Sequence, residues 1–371
     1  MAPGATPSLE VPAAPAGLAP DYEERARGLL PAHVSAYYDA TAGSGGGSLE
    51  GTADWAAVRF RPRVLRDVST LDTTTTVLGT PVRTPVLVAP MAQQRAAHPD
   101  GEAAMGRAVA AAGSLLGVST NTAVPYADIA ATGAPWWFQV YVLRDRHLTA
   151  LLVERAVTHG ARALVLTADM ISLLPPHQNP RSWPEGPAKE RLTNLTAAEL
   201  AAAGPHAAEM DPGIDLATIG WLRSISGLPV LVKGVLRADD AARAVEAGAA
   251  GVVVSTHGGR RLGPSVTTVR ALPEVVDAVA GAAEVYADSG LRSAEHVAAA
   301  LALGARAVFV GRPALWALAA DGEAGVRAVL ESTTAELRHV LTQLGVPRLA
   351  ELTRDLVVPL SSPVPDPEVH P

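Results

Sequence analysis

From residue 85 onward, short apolar runs rich in β-branched residues alternate with Ala/Leu-rich stretches of helical length. That alternation is the pattern of parallel strands, buried on both faces, joined by crossover helices. The predicted strands are 85–89, 115–119, 137–141, 163–167, 229–233, 251–255, 284–288 and 307–310. Eight such units close a sheet more naturally than they extend an open doubly wound one, so the expected fold is α/β, a (β/α)8 barrel of the TIM type.

Two regions break the rhythm. Residues 21–84 precede the barrel as an N-terminal, helical extension packed on it, and residues 170–215 form a long loop after the fourth strand, unusually long for a βα connection. The barrel itself is assigned to 85–355, with a C-terminal tail over 356–371. Residues 1–20 are rich in Ala and Pro, with neither a basic start nor a continuous apolar run, and are expected to be a disordered tail rather than a secretion signal. The glycines between Gly43 and Gly47 neither follow a strand nor keep dinucleotide-binding spacing, which makes them a flexible loop.

Composition narrows the chemistry. The 371 residues carry a formal net charge of −7 and only 18% charged side chains, so no basic stripe is available to neutralise nucleic-acid phosphates. The chain has no cysteine, which removes disulfides, thiolate nucleophiles and cysteine-ligated metal centres. No metal site is expected. Apolar runs fall well short of the ~20 residues that cross a bilayer, and the protein is expected to be cytoplasmic, without nucleic-acid or membrane partners.

Barrel enzymes place their chemistry where strands emerge at their C-terminal ends, and here those ends are polar. Successive strands deliver Pro90, Met91 and Ala92, then Ser119, Gln139 with Tyr141, Thr167 with Asp169, Lys233, Ser255 with His257 and Arg260, Asp288, and Gly311 with Arg312. Lys233 ends a strongly apolar run, where a cation is costly unless it meets an anion or a polarised ligand. His257 and Arg260 lie on a glycine-containing turn, and Asp169 is a carboxylate able to orient the imidazole of a catalytic base. The endings YADSGLRS and FVGRP follow strands seven and eight, where barrels often hold phosphate. Backbone N–H groups near Gly290 and Gly311, with Arg292 and Arg312, suit such a dianion.

The segments LPVLVKGVLRADDAARAVEAGAAGVVVSTHGGRRL and ALALGARAVFVGRPALWALAADGEAGV carry a resemblance that RFRPRVLRDV, VAPMAQQRAAHPDGE and FQVYVLRDR support. Over roughly residues 21–355 the chain resembles the FMN-dependent 2-hydroxy acid oxidases and dehydrogenases, which include glycolate oxidase, lactate oxidase and mandelate dehydrogenase. The resemblance implies that Pro90, Met91, Ala92, Ser119, Gln139, Thr167, Lys233 and Ser255 surround the flavin. Asp288, Ser289, Gly290, Arg292, Gly311 and Arg312 would hold its phosphate end, and Lys233 would sit near the N1/C2-carbonyl edge. It also implies that His257 removes a proton, Asp169 stabilises the imidazolium, Arg260 binds the substrate carboxylate, and Tyr37 and Tyr141 complete the polar pocket, with Asn121 at its rim.

The chain departs from that family's pattern in three places. The usual Gly-Arg-Arg after the aspartate reads Leu174-Pro175-Pro176, so Pro176 stands where the second arginine would grip the carboxylate, and Arg181 becomes the candidate replacement. Ser-Asn-His reads Ser255-Thr256-His257, and Asp-Gly-Gly reads Asp288-Ser289-Gly290. A charge-assisted arginine pair contributes about 1.5–3 kcal/mol, so its loss favours a bulky substrate or one with a neutral acyl end. The expected reaction is oxidation of a 2-hydroxy acid, or a masked 2-hydroxyacyl compound, to the 2-oxo product. Electrons enter FMN and leave to oxygen or another acceptor, in a homo-oligomeric enzyme. The alternatives are another FMN barrel activity, on an amino-substituted carbon or by isomerisation, and a non-catalytic flavin-binding protein.

Overall fold

The computed structural model describes residues 20–43, 45–170, 192–358 and 360. Residues 1–19 of the expected tail, Pro176 and Arg181 lie outside the described residues.

Eight parallel strands close into a barrel: β1 (Val86–Met91), β2 (Leu116–Val118), β3 (Trp136–Val140), β4 (Leu164–Thr167), β5 (Val230–Val235), β6 (Gly251–Val254), β7 (Glu284–Ala287) and β8 (Ala307–Val310). Every strand pairs with its neighbours in sequence, and β8 returns to β1 through Val308–Val86 and Val310–Val88. The strands coincide with the predicted runs to within one or two residues. The largest changes are at β1 and β5, each of which runs two residues further than predicted; in β1, pairing continues through Pro90 and Met91 to meet Val118.

Period-2 alternation sorts each strand's side chains into two cores. On β1, Leu87 and Ala89 point into the barrel, while Val86 and Val88 face the helices. The interior is filled by an aromatic cluster of Trp137, Tyr286 and Phe309, with ring centroids 5.5–5.9 Å apart. A hairpin of Thr75–Val77 and Thr80–Val82 brings Val77 and Val82 into the same interior cluster. With the interior packed by these side chains, the open chemistry is confined to the strand C-terminal mouth.

Three helices of the extension, α1 (Pro20–Leu29), α2 (Ala32–Asp39) and α3 (Gly46–Ala57), lie against this domain. Helix α3 is locked by Asp54, whose carboxylate accepts from Arg270 Nε and Thr267 Oγ1, both at 2.6 Å. Trp55, 1% exposed, anchors it further. The short strands Arg59–Phe60 and Val357–Val358 pair antiparallel and tie the extension to the chain beyond the barrel. Within the 170–215 region, Ala197–Ala203 forms a helix with a capping box between Thr196 and Glu199. Among the described residues no helix is long and apolar enough to cross a membrane.

Candidate active site

The strand ends converge on one cavity at the barrel mouth. It is lined by Tyr37 from α2, Pro90, Met91, Ala92, Ser119, Asn121, Gln139, Tyr141, Thr167, Lys233, His257, Arg260, Asp288, Ser289, Gly290, Arg292, Gly311 and Arg312. Asp169 and Ser255 stand directly behind this wall, hydrogen-bonded to His257 and Lys233. The cavity also takes Tyr38, Met170, Arg261, Leu291 and Leu315. Arg261 was legible only as the second arginine of His257-Gly258-Gly259-Arg260-Arg261.

His257 sits on the turn after β6 at φ +54, a region that L-residues seldom occupy. Its Nδ1 lies 3.1 Å from Asp169 Oδ1. Burial lowers the imidazole pKa from its ordinary 6.5, and Asp169 only partly opposes that effect. Burial would raise the Asp169 pKa, but His257, Lys233 and Arg261 outweigh it and hold the carboxyl below its ordinary value. A neutral imidazole beside an ionised carboxylate is the resting arrangement of a general base.

Asp169 approaches this closely because Gly234 interrupts β5 at φ +104. A Cβ there would lie 2.5 Å from Asp169 Cβ and Cγ. Gly234→Ala is therefore expected to lower stability by about 1–3 kcal/mol through backbone strain and displacement of Asp169. A urea midpoint equal to that of the parent protein would contradict this.

Lys233, 5% exposed, points from β5 into the cavity wall. Its Nζ lies 2.9 Å from Asp288 Oδ2 and donates to Ser255 Oγ at 2.8 Å. Burial alone would lower its pKa, but Asp288 and Asp169 raise it, so the ammonium stays charged. Gln139 on β3 is equally fixed: Nε2 donates to Thr167 Oγ1 at 2.9 Å, and Oε1 accepts from Ser119 Oγ at 3.2 Å. These groups form a rigid polar floor.

At the β7–β8 side, burial and the neighbouring Arg260 and Arg292 lower the Arg312 pKa to about 10. Burial lowers that of Arg292 as well. Arg312 donates to the Tyr38 and Ala40 carbonyls and to Ser48 Oγ, all neutral acceptors. Buried guanidinium groups that repel one another beside the Gly290 and Gly311 turns are an electrostatic deficit that a phosphate dianion would fill. The donor set therefore fits FMN: a cationic end for phosphate, an amide and hydroxyl floor for a polar ring edge, and Lys233 for developing negative charge.

Arg260 lines the cavity, but its Nη1 donates to the Tyr37, Tyr38 and Ala40 carbonyls at 2.8–3.2 Å. Its guanidinium lies over the Tyr37 ring, 5.1 Å from the centroid. Tyr37 is held neutral, its pKa pushed up to about 12 by burial. Arg261 Nε donates to the Asp169 carbonyl at 3.1 Å, placing a second guanidinium in the wall beside Tyr141. Among the described residues, no group of three or more His, Asp or Glu side chains is arranged to hold a metal ion.

Fold and site together define a flavin-dependent barrel oxidoreductase. The family model described as FMN-dependent dehydrogenase matches residues 26–359. The chain belongs to this family, and its cofactor is FMN. It is 40% identical to L-lactate oxidase from Nostoc sp., over 90% of this chain and 95% of that relative. Glycolate oxidase 3 from Arabidopsis thaliana is also 40% identical, over 90% of this chain and 94% of that relative. Among solved structures, a tyrosine-to-phenylalanine variant of mandelate oxidase with (S)-mandelic acid superposes with a TM-score of 0.84 at 35% identity, covering 93% of this chain and 98% of that one. An arginine-to-leucine variant of mandelate oxidase with 2-hydroxy-phenylacetamide gives 0.83 at 35% identity, covering 92% and 98%.

Proposed function

We propose that this enzyme oxidises the α-carbon of a 2-hydroxy acid with a bulky side chain, or of a related compound with a neutral acyl end, to the 2-oxo product, with His257 as the base. The observation that carries this reading is the His257–Asp169 pair facing the cavity shared with Lys233. FMN, when bound, supplies the acceptor for the two electrons leaving the α-carbon. The chain's own groups do the rest. His257 accepts the proton lost by the substrate, and Asp169 stabilises the resulting imidazolium. Tyr37 and Tyr141, both neutral and both in the cavity wall, hold the substrate's oxygens by hydrogen bonds. Lys233 stands on the floor as a fixed positive charge.

Substrate choice follows from the cations present. Pro176 has no side-chain donor, Arg260 gives Nη1 to backbone carbonyls and Arg261 gives Nε to the Asp169 carbonyl, so a small free carboxylate meets fewer charge-assisted bonds than an arginine pair turned wholly toward it would give. Met170, Leu291 and Leu315 add apolar wall that a larger side chain covers. That mandelate oxidase lacking an arginine was solved with an amide fits a neutral acyl end. An anaerobic screen of 2-hydroxy acids, esters and amides, followed by flavin bleaching and product identification, tests the assignment. Mandelate-sized compounds and their amides are expected to exceed glycolate and lactate in kcat/KM by at least about tenfold, the effect of one lost interaction near 1.4 kcal/mol. Preference for free glycolate or lactate would overturn the substrate reading. Loss of that activity in Arg181→Ala would identify Arg181 as the carboxylate clamp.

Two further features belong to the same reading: a cytoplasmic location and a homo-oligomer delivering electrons to oxygen or another acceptor. The apolar pair Val64 and Leu65, 80% and 103% exposed, is suited to burial against another copy. Sedimentation of the holoenzyme tests the oligomer, and peroxide yield in air tests oxygen as acceptor.

A further inference from the structure

The turn that carries His257 is held by a residue outside it. Ser289, on the loop after β7, has φ +68, a left-handed conformation that costs a serine energy and a glycine nothing. Its carbonyl is pinned by Trp55 Nε1 at 3.0 Å and Thr268 Oγ1 at 3.1 Å. This anchoring fixes where its side chain projects. The Ser289 hydroxyl accepts from Thr256 N at 3.2 Å and Gly258 N at 3.0 Å, the backbone N–H groups of the residues before and after His257, and donates to Asp288 Oδ1 at 2.6 Å. The His257 N–H itself donates to Ser255 Oγ at 3.0 Å. Three consecutive backbone donors of a strained turn are thus held by two serine hydroxyls.

Those hydroxyls close a circuit. Ser289 bonds Asp288, Asp288 pairs with Lys233, Lys233 donates to Ser255, and Ser255 accepts from His257. We propose that Ser289 is a positioning residue: its hydroxyl sets the backbone of the Thr256–Gly258 turn and hence the direction of the His257 imidazole, and it couples that turn to the Lys233–Asp288 pair on the cavity floor. A left-handed non-glycine backbone is retained where the surroundings over-determine it, and here the side chain supplies bonds that a glycine at this position would lack. This inference rests on the reading of His257 as the base.

Ser289→Gly and Ser289→Thr separate the hydroxyl from the backbone. Glycine removes the hydroxyl and the strain together, so the variant should melt within a few degrees of the parent and retain FMN. Flavin reduction at saturating substrate should fall about 10- to 100-fold, the cost of a misplaced base, with KM nearly unchanged. Deuterium uptake in the 255–260 peptide should rise about tenfold with or without FMN, because the hydroxyl's two amide bonds are gone. Threonine keeps the hydroxyl but is β-branched at positive φ, so it should melt lower while reducing flavin at close to the parent rate. Rates that follow melting temperature rather than the hydroxyl, or unchanged exchange in Ser289→Gly, would overturn the inference. If His257→Gln reduces flavin normally, the base assignment itself fails. Normal reduction in Ser289→Gly alongside a slow His257→Gln removes only the positioning role.

Discussion

His257→Gln and His257→Ala should keep FMN bound and slow substrate-dependent flavin reduction at least about 100-fold, the lower end for a lost general base. His257 touches the cavity but is not part of the cationic β7–β8 end, so retention of flavin and loss of rate should separate cleanly. The pH dependence follows from its surroundings. Burial lowers the imidazole pKa below 6.5, so the base is neutral and active above that depressed value, and kcat/KM falls only as pH drops through it. Asp169 opposes the lowering. Asp169→Asn should therefore move the acid limb to still lower pH while reducing the maximal rate, since the imidazolium formed in the reaction loses its counter-charge. Rapid mixing across pH checks both effects. An acid limb displaced to higher pH in Asp169→Asn, or a near-parent rate in the His257 variants, would dismiss the mechanism.

Lys233→Met is expected to abolish FMN retention and to destabilise the apoprotein by about 3–5 kcal/mol, because it leaves Asp288 as a buried charge without its cation. The Coulombic attraction of such a pair only balances the desolvation of both ions, but deletion of one partner exposes the whole cost of the other. The double variant Lys233→Met with Asp288→Asn removes both charges and should recover much of the stability. It should not recover flavin, since the ammonium on the cavity floor is absent. Denaturant unfolding of the apoproteins and flavin absorbance after gel filtration distinguish these outcomes. A double variant no more stable than the single one would show that the pair is not the source of the loss.

Much of this architecture is written locally. A β-branched run and a following helical run each declare themselves over ten or so residues, and eight repeats leave little choice of topology, so the barrel and the identity of its polar strand ends were legible from the chain. Asp169, Lys233 and His257 could be nominated because each terminates an apolar strand, a position the fold turns toward one mouth. The direction of their side chains was not legible. Arg260 and Arg261 are adjacent in sequence, yet one reaches the 37–40 carbonyls of the N-terminal extension and the other the Asp169 backbone, contacts spanning 223 and 92 residues.

The same holds for the residues that hold the site in place. Gly234 follows directly on the predicted 229–233 strand, and only the fold shows that its missing side chain admits Asp169. Ser289 reads as a substituted glycine, and only the meeting of the β6 and β7 loops turns its hydroxyl into the acceptor for the N–H groups of both residues flanking His257. The sequence by itself determined the elements and which residue types reach the barrel mouth, because periodicity and strand termination are short-range properties. The tertiary structure decided which carbonyls each arginine engages, what fixes the His257 turn and where buried cations gather, because hydrogen bonds and burial depend on loops brought together from distant parts of the chain.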